Sequence, residues 1–248
     1  MRGVKESVIP LAPIFLTFLA THVFVILYAI FVHLPEMGTI AQSVRTDVRD
    51  TISSVGLAGL VALILRSYSM GAGTYTGLEA ISNGVPMLQE PKVHTARMAM
   101  RYMAVSLAFI VIGLMLGYLI YNVRPEPGKT LNAVFLARAT TRWNSEVARL
   151  FVLFSLLSEA VLLAVAAQTG FLGGPRVLAN MSLDRWFPTR FSLLSDRLVT
   201  QNGILIMGGL SLIIMILTGG SVRLLVVLYS INVFITFTLS QLGMVRHG

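Results

Sequence analysis

Cysteine is absent and charge is scarce: only 12% of the 248 residues are Asp, Glu, Lys or Arg, against roughly 25% in a soluble domain. The missing thiols exclude disulfides and thiolate metal sites while leaving the redox compartment open. The histidines His22, His33, His94 and His247 are too scattered for a metal centre, so neither a metal nor any other cofactor is expected. The N-terminus is not expected to be a signal peptide, because its apolar run is too long and lacks a small-residue cleavage site. What fills the chain instead is hydrocarbon: 55% of residues are hydrophobic and the mean hydropathy is +0.78. The net charge of +8 comes from basic residues set between apolar runs rather than gathered on one face. That distribution suits anionic lipid headgroups and speaks against nucleic acid.

Apolar runs of about 20 residues cross the ~30 Å of a bilayer core as helices. Six are expected, over residues 8–33, 52–86, 99–123, 146–174, 202–218 and 222–245, in a single membrane domain, 1–248. An even number places both termini on one side, and a slight excess of Lys and Arg makes that side cytoplasmic. The expectation is a multi-pass protein of the cell membrane. Glu36, Asp47 and Asp50 make the first connection an outer loop. In residues 130–140, Leu131, Val134, Phe135 and Arg138 fall at helical spacing, as an interfacial or re-entrant piece would. Residues 175–188 read as a cytoplasmic helix opened by Pro175 and closed by Pro188.

The second span is unusual. Gly71, Gly73 and Gly77 break it, and Glu79 follows within the same stretch. Lipid cannot hydrate a free amide, so a spanning helix loosens only where protein or a wet cavity takes up its backbone groups. A carboxylate at that depth costs at least ~2.5 kcal/mol on insertion scales. A segment carrying both is read as a discontinuous helix that binds something. The plain alternative is a glycine-kinked packing helix with a satisfied Glu79.

Two stretches together resemble the amino acid–polyamine–organocation permease superfamily. One is Thr76-Gly77-Leu78-Glu79-Ala80, running on to Asn83-Gly84-Val85-Pro86 and Glu90-Pro91. It is similar to the unwound sixth helix of those permeases, with its Gly-x-Glu pattern. The other is Gly174-Pro175-Arg176-Val177-Leu178, then Met181, Asp184 and Pro188, similar to the cytoplasmic helix after their eighth span. The resemblance implies an all-α, partial LeuT-like fold. The six membrane helices would correspond to the family's helices five to ten, with the second inverted repeat and the discontinuous helix. Its first four helices and its last two would lie outside, so the chain is read as part of a longer permease.

The resemblance further implies a substrate site on exposed backbone and hydroxyls at Gly73, Thr74, Tyr75, Thr76 and Gly77. Thr76, Glu79 and Asn83 share one helical face, with Glu79 as a gate or proton carrier or else a packing acid. Glu159 is the second intramembrane acid; Ser155, Ser158 and Glu159 are ion-site or proton-coupling candidates, with a structural bond between helices as the alternative. His22 near the middle of the first span is either a pH-sensitive switch, as a titratable residue on the fifth helix is in some relatives, or a buried neutral histidine. Tyr229, Asn232, Thr236 and Ser240 form a polar seam on the last span that either lines the permeation path, with Asn232 as a substrate candidate, or packs against another helix, while Gly113 and Gly117 read as plain helix contact.

The expected function is secondary transport of an amino acid or a similar small solute, coupled to a proton. Potassium is the alternative cargo. A non-transporting scaffold or a membrane-embedded enzyme are rivals from other classes, but no catalytic constellation is present in the loops, so no enzyme is expected.

Overall fold

The computed structural model describes residues 11–71, 73, 81, 85, 88–193 and 200–247. Seven α-helices are described: α1 (Ala12–Val32), α2 (Met37–Met70), α3 (Lys92–Ile120), α4 (Leu131–Ala139), α5 (Ser145–Leu183), α6 (Gln201–Leu217) and α7 (Val222–His247). Short 3-10 turns at Leu34–Glu36 and Thr189–Phe191 precede α2 and α6, and no strand occurs among the described residues. The all-helical outcome follows from the solvent, since a helix satisfies its own backbone without water. Five helices are long and apolar enough to cross a membrane: α1, α2 with its leading turn, α3, α5 and α7. The fifth of the six expected spans is α6, whose 17 residues make about 26 Å at ~1.5 Å per residue, at the lower limit for crossing. The chain is a multi-pass membrane protein.

It divides into two compact units, Met1–Asp47 with Ala104–Thr169, and Val48–Met103 with Gly170–Gly248. The first is organised around α4. Thr130 caps it, its hydroxyl accepting from Ala133 N at 3.1 Å, as an N-cap should. Phe135, Leu136 and Ala139 of α4 are buried in one cluster with Val25 and Ala29 of α1. The stretch read as interfacial or re-entrant is therefore part of this unit's core. Two glycines of α3 let the partners in: a Cβ on Gly113 would lie 2.5 Å from Ile26 Cγ2, and one on Gly117 2.6 Å from Phe135 Cζ. Both glycines serve helix contact.

The connection after α3 is closed by charge. Asn122, at φ 46°, ends the helix, and Val123 N bonds back to Tyr118 O at 2.8 Å. Arg138 of α4 donates to the carbonyls of Tyr121 at 3.1 Å and Asn122 at 2.7 Å, placing a cation at the negative end of α3. Its guanidinium also reaches Glu126, which Lys129 holds at 2.9 Å.

Two expectations about connections change. Residues 33–51, read as an outer loop, are helical from Met37 onward, with Thr39, Ser43 and Thr46 donating to carbonyls three or four residues back. Acidic residues marked that stretch as polar, but polarity does not stop a helix that lacks proline. The real interruption of α2 is Gly56, at φ 74° and ψ 169°, a left-handed region open to glycine and strained for other residues. Residues 146–174 and 175–188, read as separate helices, are instead one helix through Pro175 to Leu183. Proline removes one backbone donor and crowds the carbonyl four residues earlier, yet here α5 continues across it. Beyond Leu183 the chain closes with Trp186 N on Met181 O at 2.8 Å and Arg185 at φ 63°. Ser182 then donates to Pro188 O at 2.6 Å. In the second unit Gly203 of α6 packs onto Pro175, where a Cβ would meet Pro175 Cβ at 2.9 Å.

Gly117→Ala forces a methyl into the fully buried Phe135 ring, and overpacking of this kind costs about 1–3 kcal/mol. Thermal unfolding in detergent is expected to show the loss, with Gly38→Ala, where nothing lies within 4 Å, as the neutral reference. Glu126 is half-buried, and its carboxyl is held below its ordinary 4.5 chiefly by the Lys129 hydrogen bond. A carboxylate depressed in the folded state stabilises above its unfolded value and less as it protonates. Protection of the amides across residues 121–130, relative to their intrinsic exchange rates, is therefore expected to be highest at neutral pH and to fall as pH drops below 4.5.

Candidate functional site

Each unit carries one group of polar side chains within its helices. In the second unit the segment of α2 after Gly56 runs from Leu57 to Met70, about 21 Å at ~1.5 Å per residue. At Gly71 and Gly73 the chain takes 3-10 geometry. Tyr68 packs its ring 6.1 Å from that of Phe234 on α7. Gly73 lies against the same helix, since a Cβ there would sit 3.6 Å from Tyr229 Cε1. The structure thus brings the first residue of the expected substrate segment to the polar seam of the last span.

Asn232 lies one turn beyond Tyr229 and donates its amide to Leu228 O at 3.1 Å. Thr236 in turn donates to Asn232 O at 2.9 Å. Asn232 and Thr236 thus each spend a hydrogen on their own helix and present oxygens as acceptors. The carbonyls ending α2 carry the negative end of its dipole. Oxygens and a negative helix terminus together favour a cation or an ammonium group. Thr74, Tyr75, Thr76, Gly77, Glu79 and Asn83 lie outside the described residues.

The second group is in the first unit. His22 is 1% exposed and shares its face of α1 with Val25, Ile26 and Ala29. Its Nδ1 lies 2.8 Å from Phe18 O; a carbonyl only accepts, so Nδ1 carries the proton and donates. Nε2 is then the lone-pair nitrogen of the neutral ring, and it is buried without a hydrogen-bond partner. On α5, Ser155 and Ser158 are buried and donate to Phe151 O and Ser155 O, both at 2.7 Å. Their hydrogens are committed to the helix, and their lone pairs remain for an ion or a donor.

Glu159 is bound from outside its own helix. Tyr118 of α3 donates its hydroxyl to Asn132 of α4, and the Asn132 amide donates to Glu159 Oε1. The interhelical hydrogen bond weighed for Glu159 from the sequence exists, and Asn132 supplies it. Neither Asn132 nor Tyr118 stood out from the sequence. They lie 27 and 41 positions from Glu159, and the single polar amide in an apolar nine-residue helix was the available signal. Glu159 also lines an open cleft of about 530 Å³ between α4 and α5, with Lys129 and Thr130 among the polar residues and Ala133, Val152 and Leu156 among the apolar ones. Among the described residues no cluster of His, Cys, Asp and Glu could hold a metal ion.

Asn132→Ala leaves the Tyr118 hydroxyl and a half-buried carboxylate without their partner, and each such loss costs about 1–3 kcal/mol. Hydrogen exchange of the α4 amides is expected to accelerate more than that of α7, which has no part in this chain of bonds.

Comparison with known proteins covers nearly the whole chain. The model of a family described as amino acid permease matches residues 2–248. The Potassium transporter KimA of Bacillus subtilis (strain 168) is 31% identical over 246 residues, which is 98% of this chain and 38% of that protein. The chain therefore spans well under half the length of this relative. No solved structure matches.

Proposed function

Because the chain belongs to the amino acid permease family, with the all-α, LeuT-like membrane fold that membership carries, we propose that it forms part of a secondary transporter. In this reading it supplies the discontinuous helix and the second inverted repeat of a longer permease, with both termini cytoplasmic, in the cell membrane. The cargo is an amino acid or a related small solute, bound at residues 73–77 against Asn232, with Glu79 as gate or proton carrier. The observation that carries this reading is Gly73, held against Tyr229 of the last span just beyond the end of α2 at Met70. Half-helices ending at midplane cavities are how such transporters expose backbone groups to cargo. Coupling to a proton rests on Glu79, Glu159 and His22 as candidates. Catalysis has no part in it, and Ser155 and Ser158 remain ion-site candidates.

Potassium is the second reading, and a specific observation favours it: the relative that matches 98% of this chain is described as a potassium transporter. The site chemistry is shared, because carbonyl and hydroxyl oxygens at a helix C-terminus stabilise an ammonium group and a dehydrated alkali cation alike.

Uptake of labelled amino acids and of rubidium, by cells producing this chain completed with the remainder of a family member, tests both readings. One of the two solutes is expected to accumulate, and Glu79→Gln to lower its flux at least about tenfold, a change of ~1.4 kcal/mol. Normal surface expression with accumulation of neither would overturn the transport reading and leave the scaffold.

A further inference from the structure

The helix α2 changes character at Gly56. Over Met37–Val55 it carries Arg45, Asp47, Arg49 and Asp50 close together, whereas from Leu57 to Leu65 it carries no charge. Each Arg or Asp at the bilayer centre costs ~2.5–3.5 kcal/mol, so this first half does not sit in hydrocarbon, although α2 as a whole is long and apolar enough to cross. Its apolar residues are not scattered. On a helical wheel of ~100° per residue, Met37, Ile40, Val44, Val48, Ile52 and Val55 fall within an arc of about 120°, shared only with Ala41 and Thr51. Arg45 and Arg49 run along one edge of that arc, and Asp47 and Asp50 along the other. The hydroxyls of Ser43, Thr46, Ser53 and Ser54, on the opposite face, donate to carbonyls three or four residues back. No residue of α2 is buried, and Val48, Ile52 and Val55 of the stripe are 41%, 38% and 51% exposed.

We propose that residues 37–55 form an amphipathic helix lying along the membrane surface, its apolar stripe set into the boundary between the headgroups and acyl chains of zwitterionic phospholipid. Topology requires both ends of this helix at one face of the bilayer. The span α1 leaves the membrane at Val32, with only residues 33–36 before α2. The apolar run from Leu57 enters at the same face, because consecutive crossings share a side. A rod about 28 Å long, at ~1.5 Å per residue, with both ends at one surface lies along that surface. Gly56 then has a reason. A helix lying flat and a helix entering lipid need a break between them, and its φ of 74° and ψ of 169° provide one. An apolar stripe with a polar remainder is what rests in a headgroup layer. The edges of the stripe fit the lipid by charge. Arg45 and Arg49 have side chains long enough to reach from the stripe to the phosphates, and Asp47 and Asp50 meet the ammonium groups of the same headgroups. Two cations against two anions leave no net pull toward anionic lipid. The surface helix rests on the chain being a membrane protein and not on any cargo.

The chain has no cysteine, so a single introduced thiol can carry a nitroxide label. The chain is completed with a cysteine-free remainder of a family member and placed in phosphatidylcholine nanodiscs. Labels go to Val44→Cys or Val48→Cys on the stripe and to Thr46→Cys or Ser53→Cys on the polar face. Relaxation of the label by oxygen, which concentrates among acyl chains, is compared with relaxation by a water-soluble nickel chelate. The oxygen-to-nickel ratio is expected to be several-fold higher at 44 and 48 than at 46 and 53, following the helical repeat. Either member of each pair reads its face, so one variant that fails to fold leaves the comparison intact. Phosphatidylglycerol in place of part of the phosphatidylcholine is expected to leave the ratios unchanged. Labels on the stripe shielded from both reagents place it against protein, and labels open to the chelate on both faces place the helix in water; either result overturns the proposal. A stripe that sinks deeper on phosphatidylglycerol overturns the zwitterionic assignment. No cargo enters the measurement, so a completed permease that moves no solute leaves this outcome standing, and the reverse holds too.

Discussion

Hydrocarbon offers a peptide group nothing to bond with, and that constraint organises the whole molecule. Backbone amides must be satisfied within helices, so the helices are long and their hydroxyls fold back on their own carbonyls, as Thr17, Ser155, Ser230 and Thr236 do. Apolar side chains gain little by leaving lipid for protein. Association therefore depends on close packing and on the few polar groups able to bridge helices. Gly113 and Gly117 provide the first, by admitting Ile26 and Phe135 against the α3 backbone. Tyr118, Asn132 and Glu159 provide the second, binding α3, α4 and α5 through one amide.

The same constraint makes each interruption informative. Where a chain in water bends freely, a chain in lipid bends where a residue tolerates the geometry and where neighbours accept the freed groups. Gly56 supplies the geometry inside α2, and Gly73 meets Tyr229 at the far end of the segment that follows. The outcome is a helix end held beside a polar seam.

Much of this was legible in the sequence because hydropathy in a membrane chain answers to a single solvent. The spans, the glycine contact on α3 and the helical spacing of Leu131, Val134 and Phe135 follow from apolar periodicity and residue size. The polar seam on α7 and the acid at position 159 stand out because polar groups are rare there. What stayed hidden depends on partners distant in sequence. Asn132 gains meaning from Tyr118 on one side and Glu159 on the other, and no local pattern announces such a bridge. The boundaries went astray for a different reason. Acidic residues before the second span look like a loop, yet nothing in residues 39–55 forbids a helix. Pro175 looks like a start, yet α5 carries through it into Leu183.

Two glycines with similar spellings obey different laws. Around Gly56 no atom comes within 4 Å of the place a β-carbon would occupy, and its left-handed φ alone reserves the position. At Gly117 the opposite is true: an ordinary helical residue is walled in by an aromatic ring. Replacing the former should therefore exact a toll of ~1–2 kcal/mol that is nearly blind to bulk, whereas at the latter each added carbon steepens the penalty. Tolerance at one is a matter of chirality, and at the other of volume.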